Sequence, residues 1–116
     1  MSERTVQSIV FPVSDLANSK AVFKALIGAD PHTDSEWYVG WNVGGIEIGL
    51  NPSGPQYGQT TQVAYWGVTD IAAAIDELVA AGATVSQEPN EPGGGVTVAT
   101  VTDAGGNLLG LIQSGA

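Results

Sequence analysis

The sequence predicts an α+β protein made of two tandem βαβββ modules. Three observations lead there. The stretch "VSDLANSKAVFKALIGAD" (Val13–Asp30) is echoed by "VTDIAAAIDELVAAGAT" (Val68–Thr84). Each echo follows a run of β-branched and aromatic residues and precedes further strand-like runs around glycine turns. Setting Asp15 on Asp70, an offset of 70 − 15 = 55, tiles the 116-residue chain with two copies of one supersecondary unit.

The repeat extends beyond the aspartates. Val13 falls on Val68, Ser14 on Thr69, Leu16 on Ile71, Ala17 on Ala72 and Phe23 on Leu78. Upstream, Phe11 falls on Trp66 and Gln7 on Gln62. Each module opens with a strand, "VQSIVFPV" in the first and "QVAYWGV" in the second. A helix follows, because Ser14–Asp15 and Thr69–Asp70 can accept hydrogen bonds from the free N–H groups of a first turn. Leu16, Phe23, Leu26 and Ile27 predict the inner face of the first helix; Ile71, Ala74, Ile75 and Leu78 predict that of the second. Gly28 and Gly82 stop the helices.

A short strand is expected near residues 30–35, then a hairpin of "WYVGWNV" and "IEIGL" around Gly44–Gly45. That turn pairs Val43 with Ile46, Asn42 with Glu47, Trp41 with Ile48 and Gly40 with Gly49. In the second module "ATVSQE" is the short strand, and "VTVATV" and "NLLGLI" form the hairpin around "DAGG". Module one is residues 1–52, a Pro- and Gly-rich linker is 53–61, and module two is 62–116.

Composition narrows the function. Hydrophobic residues make up 43%, enough for a core, in a length that suits one domain. No apolar run is long enough to span a membrane, and the start carries no signal-peptide pattern, so a cytoplasmic location is the expectation. Cysteine is absent, which removes disulfides, thiolate nucleophiles and cysteine-held metals. A formal charge of −9 disfavours nucleic acid and anionic membrane surfaces as partners. It serves solubility or, alternatively, a preference for a cationic ligand.

The paired βαβββ units, the "V-S-D-L" junction and the closing "D-x-x-G-N-L" hairpin resemble the vicinal oxygen chelate superfamily. That group includes glyoxalase I, extradiol dioxygenases, methylmalonyl-CoA epimerase and the fosfomycin and bleomycin resistance proteins. The resemblance implies a curved, cup-like mixed sheet with helices on its outer face, two modules closing round a ligand cavity, and a homodimer. It also implies a divalent metal held by His, Glu or Gln, one from each of four cup strands. The matching positions here are Ser8, Val63, Gly110, and Gly49 or its neighbour on the same face, Glu47. At most one of the four carries a metal-binding group, so neither a metal nor another cofactor is expected. A one-residue slip would bring in Gln7 and Gln62 instead.

Alternation sorts the faces. Ile9, Phe11, Val13, Ala64, Trp66, Val68, Ile46, Ile48, Leu50, Leu109 and Leu111 form the helix-facing set. Ser8, Val10, Pro12, Tyr38, Gly40, Asn42, Glu47, Gly49, Val63, Tyr65, Gly67, Leu108, Gly110 and Ile112 face the cup. From these we select Ser8, Tyr38, Asn42, Glu47 and Tyr65 as candidate ligand-binding residues. Glu47 is also the candidate general base, against the plainer reading of a rim or interface carboxylate. Tyr38 and Tyr65 offer rings to stack on, and Tyr57 in the linker could cover the mouth. Trp37, Trp41 and Trp66 read as core or interface. His32, in the polar loop "ADPHTDS", reads as a surface residue. Gly93–Gly95 read as a mobile connection. Gly40, Gly49, Gly67 and Gly110 either leave room for a flat ligand or mark a bend.

The resulting functional expectation is a metal-free small-molecule-binding protein resembling the bleomycin resistance branch, sequestering an aromatic or cationic compound as in antibiotic resistance. A lyase or isomerase related to the glyoxalases and dioxygenases is one alternative. A dimeric module with a filled cavity is another.

Overall fold

A computed structural model of the chain describes residues 4–57 and 59–114. The fold is α+β and divides into two compact units. One is Ser8–Val63; the other runs from Ala64 and takes in the N-terminal residues through Gln7.

In the first unit the elements are β1 (Val6–Pro12) from Ser8 onward, α1 (Leu16–Ile27), β2 (Thr33–Asp34), β3 (Val39–Val43) and β4 (Ile46–Asn51), with a 3-10 turn at Gly54–Tyr57. The strands lie in the order β2-β3-β4-β1, with β1 and β4 parallel. Asp15 caps α1 by accepting from the Asn18 backbone N–H at 3.0 Å. Gly28 closes the helix at φ +83°, where its N–H reaches the Lys24 carbonyl. Leu16, Phe23 and Ile27 pack on Phe11, Val13, Val39, Trp41, Ile48 and Leu50. The rings are in contact, with Phe11 and Phe23 centroids 4.9 Å apart.

Leu26 departs from its expected place and is 80% exposed. At ~100° per residue, Leu16, Phe23 and Ile27 cluster within roughly 40°, while Leu26 points about 60–100° away from them. The hairpin has the predicted register, from Val43↔Ile46 to Gly40↔Gly49. Gly44 and Gly45 turn it with φ of +60° and +86°, the conformation that a two-residue turn of this hand requires.

The second unit contains β5 (Val63–Gly67), α2 (Ile71–Ala80), β6 (Thr84–Gly93), β7 (Val96–Thr102) and β8 (Leu108–Ser114), in the order β5-β8-β7-β6. Its core joins Ile71, Ala74, Ile75 and Leu78, the predicted helix face, to Val68, Ala99 and Leu111. Asp70 caps α2 by accepting from Ala73 N–H, and the Gln113 side-chain oxygen accepts from Ile71 N–H at 2.7 Å. β6 runs further than "ATVSQE" suggests and shifts register three times against β7. Pro89 and Pro92 fit there because β6 has only one neighbour in this unit. Gly93 ends β6, and Gly94–Gly95 form its turn into β7. Asp103 organises the last turn: its Oδ1 accepts from the Gly105 and Asn107 backbones and its Oδ2 from the Asn107 amide.

The tryptophans separate. Trp41 is buried, with Nε1 donating to the Ala29 carbonyl at 2.9 Å. Trp66, assigned to the helix-facing core, is 38% exposed, and Trp37 is 71% exposed. Among the described residues no helix is long and apolar enough to cross a membrane.

Candidate functional site

The polar cluster of the first unit is assembled by strand register. β1 sets Ser8 opposite Glu47, and β3 sets Gly40 opposite Gly49 and Asn42 opposite Glu47. Ser8 is buried and Glu47 partly so. Tyr38 directly precedes β3. Its backbone is pinned by a turn in which the Ser35 hydroxyl oxygen accepts from the Trp37 and Tyr38 N–H groups.

The Tyr38 ring lies back across the two glycines. A Cβ at Gly49 would stand 2.5 Å from the Tyr38 hydroxyl, and one at Gly40 would stand 2.7 Å from Tyr38 Cε2 and collide with Glu47 Oε2. These glycines therefore make room for the protein's own side chains. Of the two readings of these glycines, room for a flat ligand or a bend, the space is at both positions taken by Tyr38 and Glu47.

Glu47 is held from two sides. The Tyr38 hydroxyl donates to Oε2 at 2.5 Å, and His32 Nε2 lies 2.7 Å from Oε1. His32 Nδ1 in turn lies 2.7 Å from the Thr33 hydroxyl. The Glu47 side chain is 29% exposed and that of His32 46%. Burial pushes the Tyr38 phenol well above its ordinary range, helped by the hydrogen bond to Glu47 and by its charge. Tyr38 thus stays a donor throughout the pH range in which proteins are handled.

His32, read from sequence as a surface residue, is indeed exposed, but it also partners Glu47, which the sequence reading did not foresee. The strand pairing shows how they meet. β2 pairs Thr33 with Gly40, and β3 pairs Gly40 with Gly49, so the polar loop is carried to the edge of the candidate face. Asn42 is not part of the cluster; it is exposed, and its Oδ1 accepts from Gly45 N–H in the hairpin turn.

Tyr65 belongs to the second unit, where β5 pairs it with Gly110 of β8. It is only 8% exposed, and a Cβ at Gly110 would stand 2.5 Å from its Cδ1. Gln7, which alternation leaves off the cup-facing set, covers Gly67 in the same manner. A shallow groove of about 380 Å³ lies beside it, lined by Gln7, Gly67, Val68, Thr69, Gln113 and Ser114. The Tyr57 side chain lies outside the described residues.

The metal positions of the resemblance can be tested on chemistry. Val63 and Gly110 offer no side-chain donor, Ser8 offers only a hydroxyl, and of Gly49 and Glu47 only Glu47 brings a carboxylate. Among the described residues no three His, Cys, Asp or Glu side chains converge. The residues present do not fit a resident divalent metal.

The model of the glyoxalase/bleomycin resistance protein/dioxygenase superfamily matches residues 5–111. The chain belongs to this superfamily. A search of curated proteins returns no match. Solved structures share the fold at low identity. A hypothetical protein of Bacillus halodurans is 14% identical with a TM-score of 0.77, covering 99% of this chain and 97% of its own. Methylmalonyl-CoA epimerase of Streptomyces coelicolor, in complex with 2-nitronate-propionyl-CoA, is 18% identical with a TM-score of 0.73, again over 99% and 97%. A superfamily member from Vibrio splendidus is 17% identical with a TM-score of 0.67, over 97% and 100%.

Proposed function

We propose that this superfamily member binds a small aromatic or cationic compound and performs no chemistry on it, in the manner of a bleomycin resistance protein. Glu47 carries the reading. It is a partly exposed carboxylate beside an aromatic ring, on the sheet face opposite the one that packs on α1. A ligand that carries a positive or hydrogen-bond-donating group can pair with the partly exposed Glu47 carboxylate. The acidic surface favours approach of a cation. We propose a cytoplasmic homodimer as the working form.

The test is a thermal-shift screen of aromatic cations against their neutral isosteres. A ligand at ~100 Kd adds roughly 2.7 kcal/mol of stability. Glu47→Gln should weaken the cations more than the neutral compounds; equal loss for both classes would remove the carboxylate from recognition.

Two other readings have an observation each. Glu47 can serve as a general base in a lyase or isomerase, since a carboxylate is already fixed there by Tyr38 and His32. Both its oxygens accept hydrogen bonds, however, so taking a substrate proton means giving one of them up. A module with a filled cavity is favoured by Tyr38, Tyr65 and Gln7 lying over the strand glycines. Turnover of candidate substrates that Glu47→Gln abolishes would select the first; a screen without any binder would select the second.

A further inference from the structure

The seat of Tyr38 describes a ligand. Two facing glycines, Gly40 and Gly49, leave a flat piece of backbone that has no side chains of its own. The Tyr38 ring rests on that plate, close enough that a methyl group on either glycine would overlap it. At the end of the plate Glu47 Oε2 accepts the phenol hydrogen at 2.5 Å. Plate and acceptor together form a slot for a planar ring with one donor at its edge.

We propose that this slot is a phenol-recognition site held closed by Tyr38, and that the protein's ligands are phenols or arylamines that displace the Tyr38 ring. This rests on the reading of the face as a small-molecule site, and it names the ligand class and the residue that competes for it.

Displacement needs little motion. The Ser35–Tyr38 turn is fixed by three backbone donors: Trp37 and Tyr38 N–H to the Ser35 hydroxyl, and Ser35 N–H to the Tyr38 carbonyl. The backbone can stay in place while the half-buried ring turns outward about its side-chain torsions, on the fast timescale of rotamer exchange. The incoming ring then inherits the same plate and the same Oε2, so no polar group is left unpaired. His32 on Oε1 keeps the carboxylate aligned throughout. A ring without a donor would occupy the plate but leave Oε2 unmatched.

The experiment removes the competitor. Tyr38→Ala leaves a space the size of phenol, and binding of phenol, aniline and benzene is measured by calorimetry and by NMR on wild type, Tyr38→Ala and Tyr38→Ala/Glu47→Gln. Phenol and aniline should bind Tyr38→Ala at least tenfold more tightly than wild type. Benzene should bind more weakly than phenol, and Glu47→Gln should cost about tenfold, the scale of losing a charged acceptor. Equal phenol binding to wild type and Tyr38→Ala, or benzene binding as well as phenol, overturns the slot.

If Tyr38→Ala does not fold, phenol is titrated into ring-labelled wild-type protein. Movement of the Tyr38 ring signals toward solvent-exposed values supports displacement, and unmoved Tyr38 signals at saturation overturn it. The slot can fail without the binding function. Ligands that bind wild type and Tyr38→Ala alike keep the binding function and sink the slot; phenol uptake by Tyr38→Ala with no binder of wild type sinks both.

Discussion

Tyr65 and Gly110 offer a direct measure of how the strand glycines work. Tyr65 is 8% exposed, so truncating it removes a buried aromatic side chain. Tyr65→Ala should cost about 3–5 kcal/mol, the range for such deletions. Gly110→Ala attacks the same contact from below: its new methyl would sit 2.5 Å from Tyr65 Cδ1 and 2.8 Å from Cε1. The ring is buried and cannot step aside cheaply, so overpacking should cost ~1–3 kcal/mol.

The decisive quantity is the coupling. With the ring already removed, the Gly110 methyl meets open space, and alanine in a strand is better than glycine by roughly 0.5–1 kcal/mol. Gly110→Ala should therefore change from destabilising to neutral or stabilising in the Tyr65→Ala background, an interaction of about 1–4 kcal/mol. A 116-residue domain has roughly 6–17 kcal/mol of stability at ~0.05–0.15 kcal/mol per residue, so the variants remain measurable. Urea unfolding of the four proteins at 25 °C, with m-values compared, gives the cycle. Additive effects would refute the view that Gly110 exists to seat Tyr65.

Tyr38 should be invisible to alkaline titration by ultraviolet absorbance until well above the usual phenol range, because burial and Glu47 raise its pKa. Its folded value lies above the unfolded one, so its contribution to stability is complete below about pH 10 and is lost as pH rises through the folded value. Tyr38→Phe should remove that part of the alkaline slope; an unchanged slope would show that Tyr38 ionises normally. For the proposed homodimer, light scattering should give twice the 11.8 kDa chain mass across the micromolar range, and a monomer mass there would refute it.

Much of the fold was legible because its signals are local and repeated. The Asp15 and Asp70 caps, the Gly28 stop and the Gly44–Gly45 turn each depend on a few adjacent residues, and the offset of the repeat supports the two caps together. The hairpin register followed from the turn alone. Side-chain depth was less legible. Alternation correctly grouped Tyr65 with Gly110, but it cannot say whether a face is open or covered. Trp66 and Leu26 show the converse. Both lie in sets assigned to the core, yet Leu26 is 80% exposed, since a helix packs only its central stripe against the sheet, and Trp66 on β5 keeps 38% of its surface exposed.

The site was harder to read, for a reason visible in His32. Its partner Glu47 is fifteen residues away. The two meet only because an irregular loop ends in the two-residue strand β2, too short to carry a periodic pattern. Glycine is the other ambiguous sign. On a strand it can mean a bend, a gap for a ligand or a seat for a neighbour, and sequence weighs these alike. The structure separates them by what a methyl group would strike. At Gly40, Gly49, Gly67 and Gly110 it strikes Tyr38, Glu47, Gln7 or Tyr65, all side chains and none of them backbone. A seat made by side chains can be vacated by turning a torsion, whereas a gap closed by backbone cannot. The half-buried Tyr38 and the buried Tyr65 therefore differ in kind despite their similar seats: the first can be exchanged for a ligand, and the second holds the unit together.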